Sequence, residues 1–367
     1  MESVIEICVG DHRYDAIVGS GLLDSIGSTI AKALPGKRCA IVADENVAKV
    51  FAERVNESLR RENFEPSIII VPPGEKSKTL ERAGAICKQM LAAGLDRQSL
   101  IVALGGGVVG DLAGFVAAIF HRGIPYVQIP TTLLAMVDSS IGGKTGVNTS
   151  AGKNLIGAVH HPALVIVEVD VLKTLPGREF NQGFAEIIKH AIIADAEMFQ
   201  QLTQSARFKL DGLKPSSLPA QFVPLIKRNI EIKSSIVAKD ERDETGERAL
   251  LNFGHTVGHA IERAGDYREF LHGEAVSLGI VAACEVSIKK AGLPGEQRDA
   301  IVDLLQKFQL PTSLPQKFPR EEILEAIPFD KKFQGGKIRF VVTPKIGSAH
   351  LSGDVTLEDI REAVAAL

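Results

Sequence analysis

The chain has no excess of charge of either sign. Its 42 Lys and Arg residues stand against 45 Asp and Glu, a formal net charge of −3, and the sequence pI is near 6.3. A polybasic footprint for nucleic acid is therefore lacking. Nor is there an apolar run close to the roughly 20 residues that a membrane helix requires. The opening Met1-Glu2-Ser3-Val4-Ile5-Glu6 lacks a basic segment followed by an apolar one, so no secretory signal is expected. Cysteine is sparse: Cys8, Cys39, Cys87 and Cys284 stand singly with no C-x-x-C pair. They read as reduced, packed thiols of a cytoplasmic protein. Internal repeats and low-complexity tracts are also missing.

What is present is ordinary globular material: 367 residues, 45% hydrophobic and 24% charged, enough for two domains with separate cores. Short β-rich runs at Arg38–Ala43, Ser67–Val71, Ser99–Leu104, Tyr126–Ile129 and Ala163–Val169 are expected as buried strands. Helical patterns at Val47–Arg61 and Thr79–Ala93 fall between the first three. Such alternation predicts a Rossmann-like α/β domain with a mainly parallel sheet. After Thr174-Leu175-Pro176-Gly177 the period changes. Phe180–Leu202, Gln221–Ala238, Ala249–Ala264, Gly273–Ala291 and Gln297–Phe308 read as helices, and Phe208–Pro219 as a loop. A small strand at Lys337–Thr343 and a last helix at Leu357–Ala366 complete the reading. The fold class is thus an N-terminal α/β domain over 1–178 and a mostly helical C-terminal domain over 179–367.

Chemistry concentrates in Leu251-Asn252-Phe253-Gly254-His255-Thr256-Val257-Gly258-His259-Ala260. Two histidines four apart on a helix share a face, the spacing of metal-binding helices. Thr256 stands where a zinc protease keeps its glutamate, so a metal centre is indicated without that mechanism. His272-Gly273-Glu274 opens the next helix, and Glu186-Ile187-Ile188-Lys189-His190 lies on an apolar one. One carboxylate with several histidines forms an N/O ligand set suited to Zn²⁺. Glu186 and Lys189, three apart, fit either a surface ion pair or a site role.

Leu104-Gly105-Gly106-Gly107-Val108-Val109-Gly110-Asp111 follows a strand and opens a helix. Glycines there admit a pyrophosphate to the helix N-terminus. The G-x-G-x-x-G spacing is met, yet no acid stands about 20 residues on, where a dinucleotide fingerprint places its ribose ligand; Asp44, ending an earlier strand, is the better candidate. Pro73-Gly74-Glu75-Lys76-Ser77-Lys78 alone reads as a charged βα loop. The polar stretch from Pro130-Thr131-Thr132 through Asp138-Ser139-Ser140-Ile141-Gly142-Gly143-Lys144-Thr145-Gly146-Val147-Asn148 reads as a loop suited to phosphate and sugar hydroxyls, as does Gly152-Lys153-Asn154.

Taken together, these segments resemble the 3-dehydroquinate synthases from about residue 38 to 345. The resemblance is carried by Gly105-Gly106-Gly107 with Asp111, Gly114 and Phe115; by Ile129-Pro130-Thr131-Thr132-Leu133-Leu134-Ala135; by Gly142-Gly143-Lys144-Thr145-Gly146; by Leu251 to Thr256; and by Asp330-Lys331-Lys332. It implies NAD⁺, Zn²⁺ or a similar divalent ion such as Co²⁺, and a homodimer. It also implies a redox-neutral conversion of 3-deoxy-D-arabino-heptulosonate 7-phosphate to 3-dehydroquinate and phosphate in the shikimate pathway. The implied steps are transient oxidation, phosphate elimination, re-reduction, ring opening and intramolecular aldol closure.

Residue by residue, the resemblance implies metal ligands at Glu186, His255 and His272. It places Asp44, Glu75, Lys78, Gly106, Gly107, Asp111, Thr131, Thr132 and Thr174 at the nucleotide, with Lys144 and Lys153 shared between nucleotide and substrate. Asp138, Asn154, Lys189, Lys233, Arg248, Asn252, His259 and Lys331 fall at substrate-facing positions. His259 thereby leaves the metal set for the substrate phosphate, and Arg122 reaches the partner's active site. Alternatives are a polyol dehydrogenase of the glycerol or iron-dependent alcohol type, and another sugar phosphate cyclase; a non-catalytic metal-binding protein would not need so many fixed cations.

Overall fold

A computed structural model of the chain describes residues 2–34, 36–150, 152–204, 219–327, 333–334 and 337–367. The chain divides into two compact units. One comprises Met1–Leu175 with Lys214–Ser234, and the other Pro176–Leu213 with Ser235–Leu367.

The first unit is built on a seven-stranded sheet. Its strands are β1 (Glu2–Val9), β2 (His12–Gly19), β3 (Arg38–Asp44), β4 (Glu65–Val71), β5 (Leu100–Gly105), β6 (Tyr126–Pro130) and, after the separate hairpin of β7 (Lys144–Thr149) and β8 (Gly152–Val159), β9 (Leu164–Glu168). The spatial order is β1-β2-β9-β6-β5-β3-β4. Every pairing is parallel except β1 with β2. Strands β5, β6 and β9 are buried along their whole length, which is why they read as unbroken apolar runs. The connecting helices are α1 (Ile26–Ala33), α2 (Glu45–Val47), α3 (Glu53–Arg61), α4 (Leu80–Ala92) and α5 (Gly107–Ile119). The expected helix Val47–Arg61 proves to be α2, a π-turn over Ala48–Ala52, and α3.

Register fixes where the loops open. Asp44 pairs with Val71, Ala43 with Leu104, and Gly105 with Pro130. The carboxyl ends of β3, β4, β5 and β6 are therefore level, and the segments after them open on one edge. That edge is where open α/β sheets bind ligands.

The second unit is mostly helical: α6 (Gly177–Ala194), α7 (Ala196–Gln204), the end of α8 (Pro219–Lys239), α9 (His255–Ala264), α10 (His272–Ala291), α11 (Gly295–Lys307), α12 (Arg320–Ala326) and α13 (Leu357–Ala365). Short pairs β10 (Phe333–Gln334) with β11 (Lys337–Ile338), and β12 (Phe340–Lys345) with β13 (Ser348–Ser352), accompany them. Two expected helices are interrupted. Phe180–Leu202 breaks at Asp195, whose Oδ1 accepts from Met198 N at 2.9 Å and starts α7. Ala249–Ala264 begins as a 3₁₀ turn over Arg248–Asn252 and restarts after Gly254 at φ 79. The expected loop Phe208–Pro219 lies outside the described residues except for Pro219, which begins α8. No helix among the described residues is long and apolar enough to cross a membrane.

Asp240 closes the turn between α8 and the 3₁₀ segment. Its carboxylate accepts the backbone N–H groups of Glu244, Thr245, Gly246 and Arg248 at 2.8 to 3.3 Å. Desolvation opposes ionisation, but these donors prevail and hold the carboxyl far below its ordinary range. A carboxyl depressed by folding stabilises the native state above the unfolded pKa near 3.9, and that stability is lost as pH falls through the folded value. Asp240→Asn should therefore lower Tm by a few degrees at pH 7. The difference from the parent should shrink steadily below about pH 4, checked by thermal scans; a gap as wide at pH 2 as at pH 7 would remove the carboxylate explanation.

Candidate active site

In the first unit, the Gly-rich turn joins β5 to α5, with Gly106 at the helix N-cap. A Cβ on Gly106 would lie 3.0 Å from the Thr132 methyl, and one on Gly110 only 2.7 Å from Gln128 Oε1. Glycine thus lets α5 settle closely against β6 and the segment after it. Thr131 donates its N–H to Gly105 O at 3.0 Å, and its buried Oγ1 has no hydrogen-bond partner among the described residues. Free helix N–H groups, a bare backbone and this hydroxyl suit an anionic, hydroxyl-bearing ligand such as a nucleotide pyrophosphate.

The loop after β4 is tied to the same region. Lys78, 3% exposed, forms an ion pair with Asp111 on α5. Burial pushes the Asp111 carboxyl upward, against the pull of Lys78. Asn148 donates to Glu75 Oε1 at 2.8 Å and, through its N–H, to Lys78 O at 2.7 Å; its own Oδ1 accepts from Asn154 N. Asp44 caps α2, accepting from Asn46 and Val47 through Oδ1. Thr174, exposed, donates to Val171 O.

The polar stretch expected as a loop is folded: Ala135–Ser139 is a π-turn, and Lys144 and Lys153 sit on the paired strands β7 and β8. Glycine at 142, 143, 146, 152 and 157 and the lack of any burial alternation in β8, where Leu155, Ile156 and Val159 are exposed, hide the pattern by which a strand is recognised. Lys144 and Asn154 are exposed and Lys153 half-buried. Asp138, in the π-turn, accepts from Lys233 Nζ at 2.6 Å through Oδ1 and at 2.7 Å through its carbonyl. Arg122 is exposed, at φ 69, in the turn after α5.

In the second unit, α6 carries Glu186 and Lys189, α9 carries His255 and His259, and His272 opens α10. Gly254 turns the chain into α9 where a Cβ would lie 2.8 Å from Ile280 N, so α9 and α10 cross closely. Glu186 is fully buried and Lys189 is 1% exposed. Their ion pair uses Glu186 Oε2. A surface pair is thereby excluded. Oε1 makes no hydrogen bond among the described residues, although His255 Nε2 is 3.3 Å and His272 Nε2 3.8 Å away.

The imidazoles explain this. His255 Nδ1 lies 3.2 Å from Phe253 O, and His272 Nδ1 lies 3.2 Å from Glu262 Oε2. Both neighbours accept, so each Nδ1 carries the proton and each Nε2 offers a lone pair. Two lone pairs and a carboxylate oxygen then face one point, an arrangement that needs a cation to be favourable. Ligand atoms of Glu186, His255 and His272 all lie within 4.8 Å of one another. The residues fit a divalent ion. Burial would raise the Glu186 carboxyl, but Lys189 and both histidines outweigh it and hold it well below the usual range. Burial pushes His255 down, against the pull of Glu186, which keeps the ring neutral as ligation requires.

His259 is exposed, its ring centroid 5.3 Å from that of His255. Arg248 is 4% exposed and donates to Glu241 O; Asn252 is half-buried at the end of the 3₁₀ turn. Lys331 lies outside the described residues. Glu262, 4% exposed, was not singled out from the sequence. Its signal was there: positions 255, 259 and 262 stack on one helical face.

An α/β unit with a glycine-rich βα turn and a helical unit with a His/Glu cluster place the chain in a class whose solved members include sugar phosphate cyclases. A 2-deoxy-scyllo-inosose synthase complexed with carbaglucose-6-phosphate, NAD⁺ and Co²⁺ matches with TM-score 0.88 and 25% identity, covering 99% of each chain. The 2-epi-5-epi-valiolone synthase of Streptomyces hygroscopicus subsp. jinggangensis, with NAD⁺ and Zn²⁺ bound, also has TM-score 0.88, at 28% identity and 98% of each chain. The chain belongs to the 3-dehydroquinate synthase family: the N-terminal family model of that name matches residues 68–182 and the C-terminal one residues 183–333. The 3-dehydroquinate synthase of Nostoc punctiforme is 43% identical over 365 residues, 99% of both proteins.

Proposed function

We propose that this chain is a 3-dehydroquinate synthase, a lyase that turns 3-deoxy-D-arabino-heptulosonate 7-phosphate into 3-dehydroquinate and inorganic phosphate, with NAD⁺ and zinc as resident cofactors. The observation that carries the reading is the match of both halves to one family, in a chain whose buried Glu186 faces two neutral imidazoles. A polyol dehydrogenase is not favoured. The discriminating assay supplies the heptulosonate phosphate with catalytic NAD⁺: equal yields of phosphate and dehydroquinate without net NADH are expected. NADH accumulating with turnover would overturn the reading.

Glu186, His255 and His272 would hold the cation. Gly106, Gly107, Asp111, Thr131, Thr132, Asp44, Glu75, Lys78 and Thr174, with Lys144 and Lys153, would receive the nucleotide. When bound, these groups supply Lewis acidity at a substrate hydroxyl and a reversible hydride acceptor.

The chain's own residues do the rest. Arg248 and Lys233, fixed by Glu241 O and Asp138, are cations whose positions are set before substrate arrives; such preorganisation is what binding a phosphate and a carboxylate requires. Lys144, Lys153 and Lys331 add charge, while Asn154 and Asn252 offer amides to hydroxyls. His259, exposed one turn beyond His255, is the imidazole placed to pass a proton to or from the substrate. Asp138 and Lys189 orient their partners Lys233 and Glu186.

The enzyme is further proposed to be a cytoplasmic homodimer, with Arg122 serving the partner's site. Its support is an exposed arginine in a left-handed turn and four cysteines outside any disulfide. A single-copy mass in sedimentation of active enzyme would dismiss the dimer.

A further inference from the structure

Glu262 sits one turn beyond His259 on α9, buried to 4% exposure, with Oε2 3.2 Å from His272 Nδ1. The other imidazole facing Glu186 has a different neighbour: His255 Nδ1 meets only a neutral carbonyl, that of Phe253, at 3.2 Å. The two rings are therefore held by partners of unequal charge. His255 is fixed by its own backbone two residues earlier, an anchor that survives any substitution. His272 is partly exposed at the first position of α10 and depends on a side chain from another helix.

We infer that Glu262 is a positioning residue: its carboxylate fixes the Nδ1–H tautomer of His272, aims Nε2 at the point faced by Glu186 Oε1, and strengthens that nitrogen as a ligand. This rests on the reading that Glu186, His255 and His272 form the metal set. An anion hydrogen-bonded to the far nitrogen of an imidazole raises the basicity of the near one, and loss of such a partner typically costs about 10–100-fold in metal affinity. A competing arrangement exists, because His259, Glu262 and His272 also bring ligand atoms within 4.8 Å of one another. In that arrangement Glu262 would itself ligate an ion. An Nδ1 that donates to Glu262 cannot bind a metal at the same time. The Nε2 of His272 directed toward Glu186 favours the positioning role.

The test uses the full-length chain stripped of metal and titrated with Zn²⁺ by chelator competition. It compares the parent with Glu262→Gln, which keeps an acceptor of the same shape, and Glu262→Ala. One ion per chain should bind to each protein. The dissociation constant should rise about 10–100-fold in Glu262→Ala, with Glu262→Gln between it and the parent. The ¹⁵N shifts of His272 should report the Nδ1–H tautomer in the metal-free parent and a mixture of tautomers in Glu262→Ala, a signature that mere loosening of the fold would not produce. If the parent binds no zinc, the metal reading itself fails. If the parent binds zinc and both variants match its affinity and tautomer, only the Glu262 role is overturned. Two ions in the parent and one in Glu262→Gln would likewise overturn it, in favour of direct ligation.

Discussion

His255→Ala should cut turnover by about 10³-fold or more, since a Lewis acid contributes several kcal/mol to a developing alkoxide and each 1.4 kcal/mol is tenfold. His255 Nε2 is the nitrogen nearest to Glu186 Oε1, at 3.3 Å. Its ring is held by its own backbone through Phe253 O, so it is more firmly placed than the partly exposed His272. Removing it leaves one carboxylate oxygen and one partly exposed imidazole, fewer ligands than any ordinary zinc site keeps. The checks are zinc content per chain and phosphate release, made together. Low rate with low zinc supports the reading; low rate with full zinc would make His255 a group that acts on substrate. Parent-like kinetics with parent-like zinc would remove it from the site.

The sequence disclosed the sheet where its strands are buried on both faces. β3, β5, β6 and β9 appear as apolar runs because helices cover them, and each lies within a residue of its expected bounds. The β1–β2 hairpin went unread although its turn is the two residues Gly10-Asp11, with Gly10 at φ 56. Its strands alternate buried and exposed positions at the rim of the sheet, a weaker pattern than a continuous run. The β7–β8 hairpin was hidden for the reason given above. Both failures concern strands whose identity is decided by pairing partners, not by local composition.

The cluster in the helical unit was legible in part. Spacing placed His255 and His259 on one face, which cannot say which ring turns inward. Burial does: His255 is 8% exposed, whereas His259 is exposed. Whether Glu186 and Lys189 were a surface pair or something deeper was open from spacing alone, because an i,i+3 pair looks the same in sequence on either side of a helix. Glu262 was overlooked because a glutamate late in an amphipathic helix is usually solvated. Only the arrival of His272 from a distant part of the chain shows its use.

Lys189→Met should give the largest loss of stability in the metal-free protein. Lys189 and Glu186 are both essentially without solvent contact and form an ion pair. Breaking such a pair by removing one partner leaves an uncompensated buried charge and costs about 3–5 kcal/mol. Spread over a chain of this size, that corresponds to a fall in Tm of about 4–6 °C. Methionine fills nearly the same volume, so the loss measures charge and not a cavity. Zinc should act in the opposite direction on the two proteins' difference. A divalent cation at Glu186, His255 and His272 would neutralise the carboxylate that Lys189 had balanced, so saturating zinc should raise Tm more in the variant than in the parent. Turnover should stay low even then, because the ammonium that orients Glu186 is gone. A metal-free variant melting with the parent would show that the buried pair contributes nothing to stability. An equal zinc-induced shift in both proteins would show that the ion and Lys189 do not share Glu186.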